Sequence, residues 1–199
     1  SISAITLALV SFSSSFAKVE GEYIVLGAAV SLTGKYSSNG VHTQNGYNLA
    51  VERINSMGGV EVGGKKYKFE IIYYDDESNS GRAAQLAERL IKQDGVKYML
   101  GPYSSGLTKA MAPVTEKYKI PMVEANGASR SLFTKGYKYL FAVLAPANLY
   151  LDVAIDLAVE KNGGKPVKIA QAFEQDAFSQ DVRLGILDAA KRTGSKIII

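Results

Sequence analysis

The sequence predicts an α/β fold: a doubly wound parallel sheet forming one lobe, followed by an incomplete second α/β lobe. Three observations carry this expectation. Short apolar runs alternate with segments of helical periodicity along the chain. The loops between them are short and punctuated by Gly, Pro, Ser and Asn, the pattern of strand–helix–strand units with right-handed crossovers. The chemically suggestive residues fall in five loops that follow strands, and in such sheets ligands bind beyond the carboxyl ends of the strands.

Taken in order, Ile2 to Phe12 is an apolar run followed by Ser13-Ser14-Ser15-Phe16-Ala17 and then Lys18. Residues 1–17 therefore read as part of a secretory signal peptide, with Ser15 and Ala17 at the −3 and −1 positions of a cleavage site. The run is too short for an ordinary membrane-spanning helix. It starts without Met or a basic region, so the chain is expected to begin inside its signal. Tyr23 to Val30, apolar and bounded by Gly21 and a Ser-Leu-Thr-Gly turn, suits a buried strand. Val41 to Met57 has helical spacing and ends at Gly58-Gly59. Val60 to Lys65 reads as a Gly-rich turn, and Lys66 to Tyr74 alternates as a strand. Asp75-Asp76-Glu77-Ser78-Asn79 is polar and is expected to cap a helix over Gly81–Gln93. Capping is also the reading favoured for the three acids over a Ca²⁺ site or acid–base work.

Val96 to Leu100 reads as the next strand, stopped by Gly101-Pro102. Ser104 and Ser105 then stand where a helix from about Leu107 to Tyr118 begins. Either serine suits a plain N-cap. The same place also suits a small anion, because a helix start presents free N–H groups and a positive dipole end. Ile120 to Ala125 and Lys138 to Val143 read as strands, with Asn126-Gly127-Ala128-Ser129 a tight loop between them. Leu149–Lys161 and Phe178–Arg192 read as helices, and Val167–Phe173 and Lys196–Ile199 as strands. The break near Ala145–Asn148 divides residues 18–145, a ligand-binding lobe, from 146–199, the start of a second. The second stretch is too short to complete an α/β layer, so a C-terminal truncation is expected.

Composition narrows the function. The 199 residues carry a net charge of +4 with scattered lysines, not the dense basic block of a nucleic-acid footprint. With no cysteine, disulfides, thiolate catalysis and a cysteine-linked lipid anchor are excluded. One histidine, His42, argues against a transition-metal site. Gly59, Gly64 and Lys65 have Walker-A spacing but lead from helix to strand, the wrong order for a P-loop. No Gly-x-Ser-x-Gly elbow and no Gly-x-Gly-x-x-Gly turn is present, so neither a catalytic residue nor a cofactor is expected.

Gly27-Ala28-Ala29-Val30-Ser31-Leu32-Thr33-Gly34, Asn45-Gly46-Tyr47-Asn48-Leu49-Ala50, Gly101-Pro102-Tyr103-Ser104-Ser105 and Phe178-Ser179-Gln180-Asp181 occur in this order. Together they resemble the branched-chain amino-acid type of periplasmic substrate-binding protein from ABC importers, which has the type I periplasmic-binding fold. The resemblance implies two α/β lobes closing on a carboxylate-bearing ligand, delivery to a membrane permease, and a periplasmic or extracellular location. It implies that Ser104 and Ser105 hold the carboxylate and that Asn126, Gly127 and Ala128 orient the ligand. Tyr36 and Phe178 would shield it, with Tyr103 flanking the cleft. Where relatives have a hydroxyl this chain has Ala128, with Ser129 beside it. A ligand-sensing ectodomain shares the fold, and a doubly wound enzyme is the alternative from another class.

Overall fold

The computed structural model describes residues 19–20 and 22–198, so the expected leader over residues 1–17 lies outside the described residues. The strands are β1 (Val19–Glu20), β2 (Tyr23–Val30), β3 (Val60–Val62), β4 (Lys65–Asp75), β5 (Met99–Leu100), β6 (Met122–Glu124), β7 (Leu140–Ala142), β8 (Lys168–Ile169) and β9 (Lys196–Ile197). The helices are α1 (Ser37–Ser56), α2 (Ser80–Lys92), α3 (Ser105–Tyr118), α4 (Asp152–Lys161) and α5 (Ala177–Thr193).

The large sheet has the order β3-β4-β2-β5-β6-β7, with β1 paired to the start of β2. Strands β4, β2, β5, β6 and β7 run parallel, while β1 and β3 pair antiparallel with β2 and β4. Chain order and spatial order part at β2. The first crossover carries the chain to β4 on one side, and the second carries it over β2 to β5 on the other. That reversal opens a crevice beyond the carboxyl ends of β2 and β5.

Strand alternation sends β2 residues to opposite faces. Val25 and Ala29 join the main core with Ala83, Leu86 and Leu90 of α2 and Leu107 and Met111 of α3. Ala28 and Val30, also buried, point to the face where α1 packs. Gly27, on the same face as Val25 and Ala29, has no room for a side chain: a Cβ would lie 2.9 Å from Met99 Sδ and Val96 Cγ1. The strand therefore sits close under α2 and its following loop. Past β7, a 3-10 turn over Ala147–Leu149 leads into α4, and β8 and β9 form a separate two-stranded parallel sheet.

Several expectations need correction. The Val60–Lys65 stretch is not a simple turn; β3 and the start of β4 make a hairpin about Gly63 and Gly64, at φ +60° and +80°. Positive φ at both central residues is what a tight hairpin turn requires. Helix α1 starts at Ser37, four residues before the expected Val41, and α4 starts at Asp152 because the 3-10 turn takes up Leu149. The strand expected over Val96–Leu100 pairs only at Met99–Leu100, and the one expected over Val167–Phe173 only at Lys168–Ile169.

Candidate functional site

The loop after β2 is held rigidly. Asp75, at the end of β4, accepts hydrogen bonds from the Leu32 and Thr33 N–H groups and from the Thr33 hydroxyl, at 2.9, 3.2 and 2.7 Å. Burial opposes its charge, yet bonds from Thr33, Glu77 and Leu32 hold the Asp75 carboxyl below its ordinary value. Asp76 is buried and accepts from Ser31 Oγ at 2.6 Å and from the Ser78 N–H. The burial raises its pKa. Ser78 Oγ accepts from the Tyr36 N–H and donates to the Thr33 carbonyl. Within the stretch expected to cap α2, Asn79 makes the cap, its side chain accepting from the Arg82 N–H, whereas Asp75 and Asp76 do not cap but fasten the loop that carries Tyr36.

The loop after β5 brings Tyr103 against Tyr36, ring centroids 5.5 Å apart and nearly edge-on. Ser104 is the N-cap of α3 by position but makes no side-chain cap bond. The first N–H groups of a helix have no partner within it. Those of α3 open beside the cleft, which Ser104, Ser105 and Gly106 line. Ser105 is nearly buried, and its Oγ accepts from the Ser129 N–H at 3.1 Å. The hydroxyl proton remains for donation.

Opposite stands the start of α5. Asp176 caps it, accepting from the Phe178 and Ser179 N–H groups at 2.8 and 3.1 Å. Phe178 meets Tyr150 edge-on at 5.5 Å. Between these parts lies a cleft of about 480 Å³, which Leu144, Glu174, Asp176 and the four aromatic rings also line. Such dimensions suit a small solute. Tyr36, Tyr103, Ser104, Ser105, Asn126 and Phe178 therefore come together in one hollow. Gly127 and Ala128 do not reach it. Both are buried, and the Gly127 N–H is bonded to the Glu124 carboxylate at 2.6 Å.

Glu124, Tyr150, Glu174 and Asp176 escaped the sequence reading. Glu174 and Asp176 had a signal, since their loop follows a strand on the ligand side. Glu124 had little, being one acid in an apolar strand. It is fully buried beneath Asn126, and its Oε1 accepts from the Asn126 and Gly127 N–H groups, each at 2.6 Å. Its Oε2 accepts from Thr108 Oγ1 at 2.6 Å. Burial pushes its pKa from the ordinary value of 4.5 up to about 7, against these hydrogen bonds.

The family model described as periplasmic binding protein matches residues 23–199. The chain belongs to that family. It is 26% identical over 182 residues to Leu/Ile/Val-binding protein homolog 8 of Brucella abortus, covering 88% of this chain and 44% of the relative. Among solved structures, the branched-chain amino-acid transporter substrate-binding protein of Streptococcus pneumoniae, in complex with isoleucine, matches with a TM-score of 0.68. It is 26% identical over 88% of this chain and 47% of its own. A solute-binding protein of an ABC transporter from Rhodopseudomonas palustris, in complex with 3,4-dihydroxybenzoic acid, matches with a TM-score of 0.72 and 24% identity, covering 89% of this chain and 46% of its own. The fold is the type I periplasmic-binding fold of the branched-chain amino-acid type. The chain spans about half the length of the relatives it matches. Among the described residues, no helix is long and apolar enough to cross a membrane.

Proposed function

We propose that this chain is part of an extracytoplasmic solute-binding protein that captures a small carboxylate-bearing ligand, an amino acid or an analogue, and passes it to an ABC importer in the membrane. The observation that carries this reading is the uncapped start of α3 opening onto an aromatic-walled cleft. The ligand carboxylate would accept from the first N–H groups of α3 and from the Ser105 hydroxyl. Tyr36 and Tyr103 would cover it from the large sheet, Tyr150 and Phe178 from the other side. Glu174 and Asp176 place negative charge across the cleft, which suits an ammonium group and favours an amino acid over a simple acid. Closure would follow from a hinge near residues 145–146, where β7 gives way to the 3-10 turn. A periplasmic or extracellular location accords with the family and with the leader expected over residues 1–17.

Thermal-shift measurements on the full-length protein with the common amino acids and with aromatic carboxylates test the reading. A ligand that binds only the folded state raises its melting temperature, by an amount that grows with concentration over Kd. The reading expects a shift with at least one amino acid, reduced in Ser105→Ala. No shift with any carboxylate would remove it.

A further inference from the structure

The function just proposed makes use of the N–H groups at the start of α3. It leaves unexplained why the N–H groups of Asn126, which lines the cleft, and of the buried Gly127 beside it are already bonded to a carboxylate of the protein itself. The space for that carboxylate is built in. A Cβ on Gly101 would lie 2.2 Å from Glu124 Oε2, and one on Gly127 would lie 2.5 Å from Thr108 Oγ1. Two glycines thus clear a chamber for one acid, directly beneath the cleft residue Asn126.

The hydrogen-bond count at Thr108 decides what this acid does. Thr108 Oγ1 lies 2.6 Å from Glu124 Oε2 and 2.8 Å from the Ser104 carbonyl oxygen. Both are acceptors when Glu124 is ionised, and a hydroxyl has one proton to give. One contact must then go unmade. If Glu124 carries a proton on Oε2, it donates to Thr108 Oγ1, Thr108 donates to Ser104, and the chain closes. The protonated acid is therefore linked by two hydrogen bonds to the residue that opens the anion site. The ionised acid adds a negative charge below a place meant for another.

We infer that Glu124 is a positioning residue for the anion site, taking up one proton from solvent when a carboxylate docks at the start of α3. The inference rests on the carboxylate-capture reading. Its raised pKa, caused first by burial, keeps both forms within reach of neutral pH. Other groups surround it. From α1, Tyr47 donates to the Gly101 carbonyl at 2.7 Å and is itself held protonated, by burial first and by Glu124 second. Tyr73 of β4 acts electrostatically in the same direction on Tyr47. From α5, Asp181 approaches through Ser129. His42 lies in an adjoining hollow with Tyr47 and Asn126, and Glu174 and Asp176 lie across the cleft.

Glu124→Gln imitates the neutral acid: its oxygen still accepts from both N–H groups and its amide donates to Thr108. Isothermal calorimetry with L-leucine, 3,4-dihydroxybenzoate and acetate, on full-length protein and in buffers of different ionisation enthalpy, reads the proton directly. The expected result is uptake approaching one proton as pH rises past 7. Kd should rise by up to about tenfold per pH unit above that point, and both effects should vanish in Glu124→Gln. Should the variant fail to fold, proton uptake by the wild-type protein still decides, with an infrared band of a protonated carboxyl near neutral pH as its ligand-free counterpart. Binding without proton uptake, or a pH slope that survives in Glu124→Gln, overturns the role of Glu124 and leaves carboxylate capture standing. Failure of all three probes to bind at any pH overturns both.

Discussion

Glu124 also sets a stability profile that needs no ligand. Its folded pKa is about 7 against an ordinary value of 4.5. The unfolded chain therefore loses this proton first. The stability gained by holding the acid neutral is present in full below about pH 4.5 and is lost as pH rises toward 7, a change on the order of 3 kcal/mol. Glu124→Gln should flatten that part of the pH profile, measured by urea unfolding at pH 5 and pH 8. Asp75 acts in the opposite sense. Its lowered pKa adds stability above its ordinary value that is lost as pH falls through the folded one. Ser105 has a double role at the same scale. Its oxygen satisfies the buried Ser129 N–H, so Ser105→Ala should cost stability as well as affinity, each by about 1–3 kcal/mol. An unchanged unfolding midpoint would show that the Ser129 N–H finds another partner.

At the scale of elements, α1 offers an internal contrast. A Cβ on Gly40 would lie 1.8 Å from the Ser31 carbonyl oxygen, whereas one on Gly46 would meet nothing within 4 Å. Gly40→Ala must push the helix off the end of β2 and should cost about 1–3 kcal/mol or more. Gly46→Ala should stabilise the same helix by about 0.5–1 kcal/mol. Chemical denaturation of the two variants checks both signs. This contrast also explains what the sequence could convey. Periodicity and helix-start signals located the five helices of the described residues and most of their strands, because burying one face leaves a repeating trace, as Ala83, Leu86, Ala87, Leu90 and Ile91 do in α2. Close approach leaves no such trace: Gly40 and Gly46 look alike until the neighbouring backbone is in place. The cleft divides in the same way. Ser104 and Ser105 could be read from local helix-start chemistry. Glu124 could not, because its partners come from α3 and from the following loop, and a lone acid in an apolar strand does not say whether it is paired.

For the molecule as a whole, the question is what ties the part beyond β7 to the large sheet. Asp181 of α5, nearly buried, accepts from the Ser129 hydroxyl at 2.5 Å and from the Ser131 N–H at 3.1 Å. The Ala147 N–H donates to the Ala128 carbonyl at 2.8 Å. Gly185 lets α5 approach the 3-10 turn, since a Cβ there would lie 1.8 Å from the Asn148 carbonyl oxygen. These contacts join α5 to the loop after β6, the loop that holds Asn126 and Glu124's partners. Ala128, expected at the ligand, and Ser129 beside it thus serve as attachment points. Asp181→Ala would leave the Ser131 N–H without its acceptor and leave the Ser129 hydroxyl only Ser131 Oγ, 2.6 Å away. The expected cost is about 1–3 kcal/mol, confined to this attachment. Hydrogen exchange should quicken in α5 and around Ser131 while the amides of β2 stay protected, because local opening follows local contacts. Asp181→Asn, which keeps an acceptor oxygen, should restore most of the protection. If exchange in α5 is unchanged by Asp181→Ala, the two parts are held by the Ala147–Ala128 hydrogen bond and by packing, and closure over the cleft must pivot without this anchor.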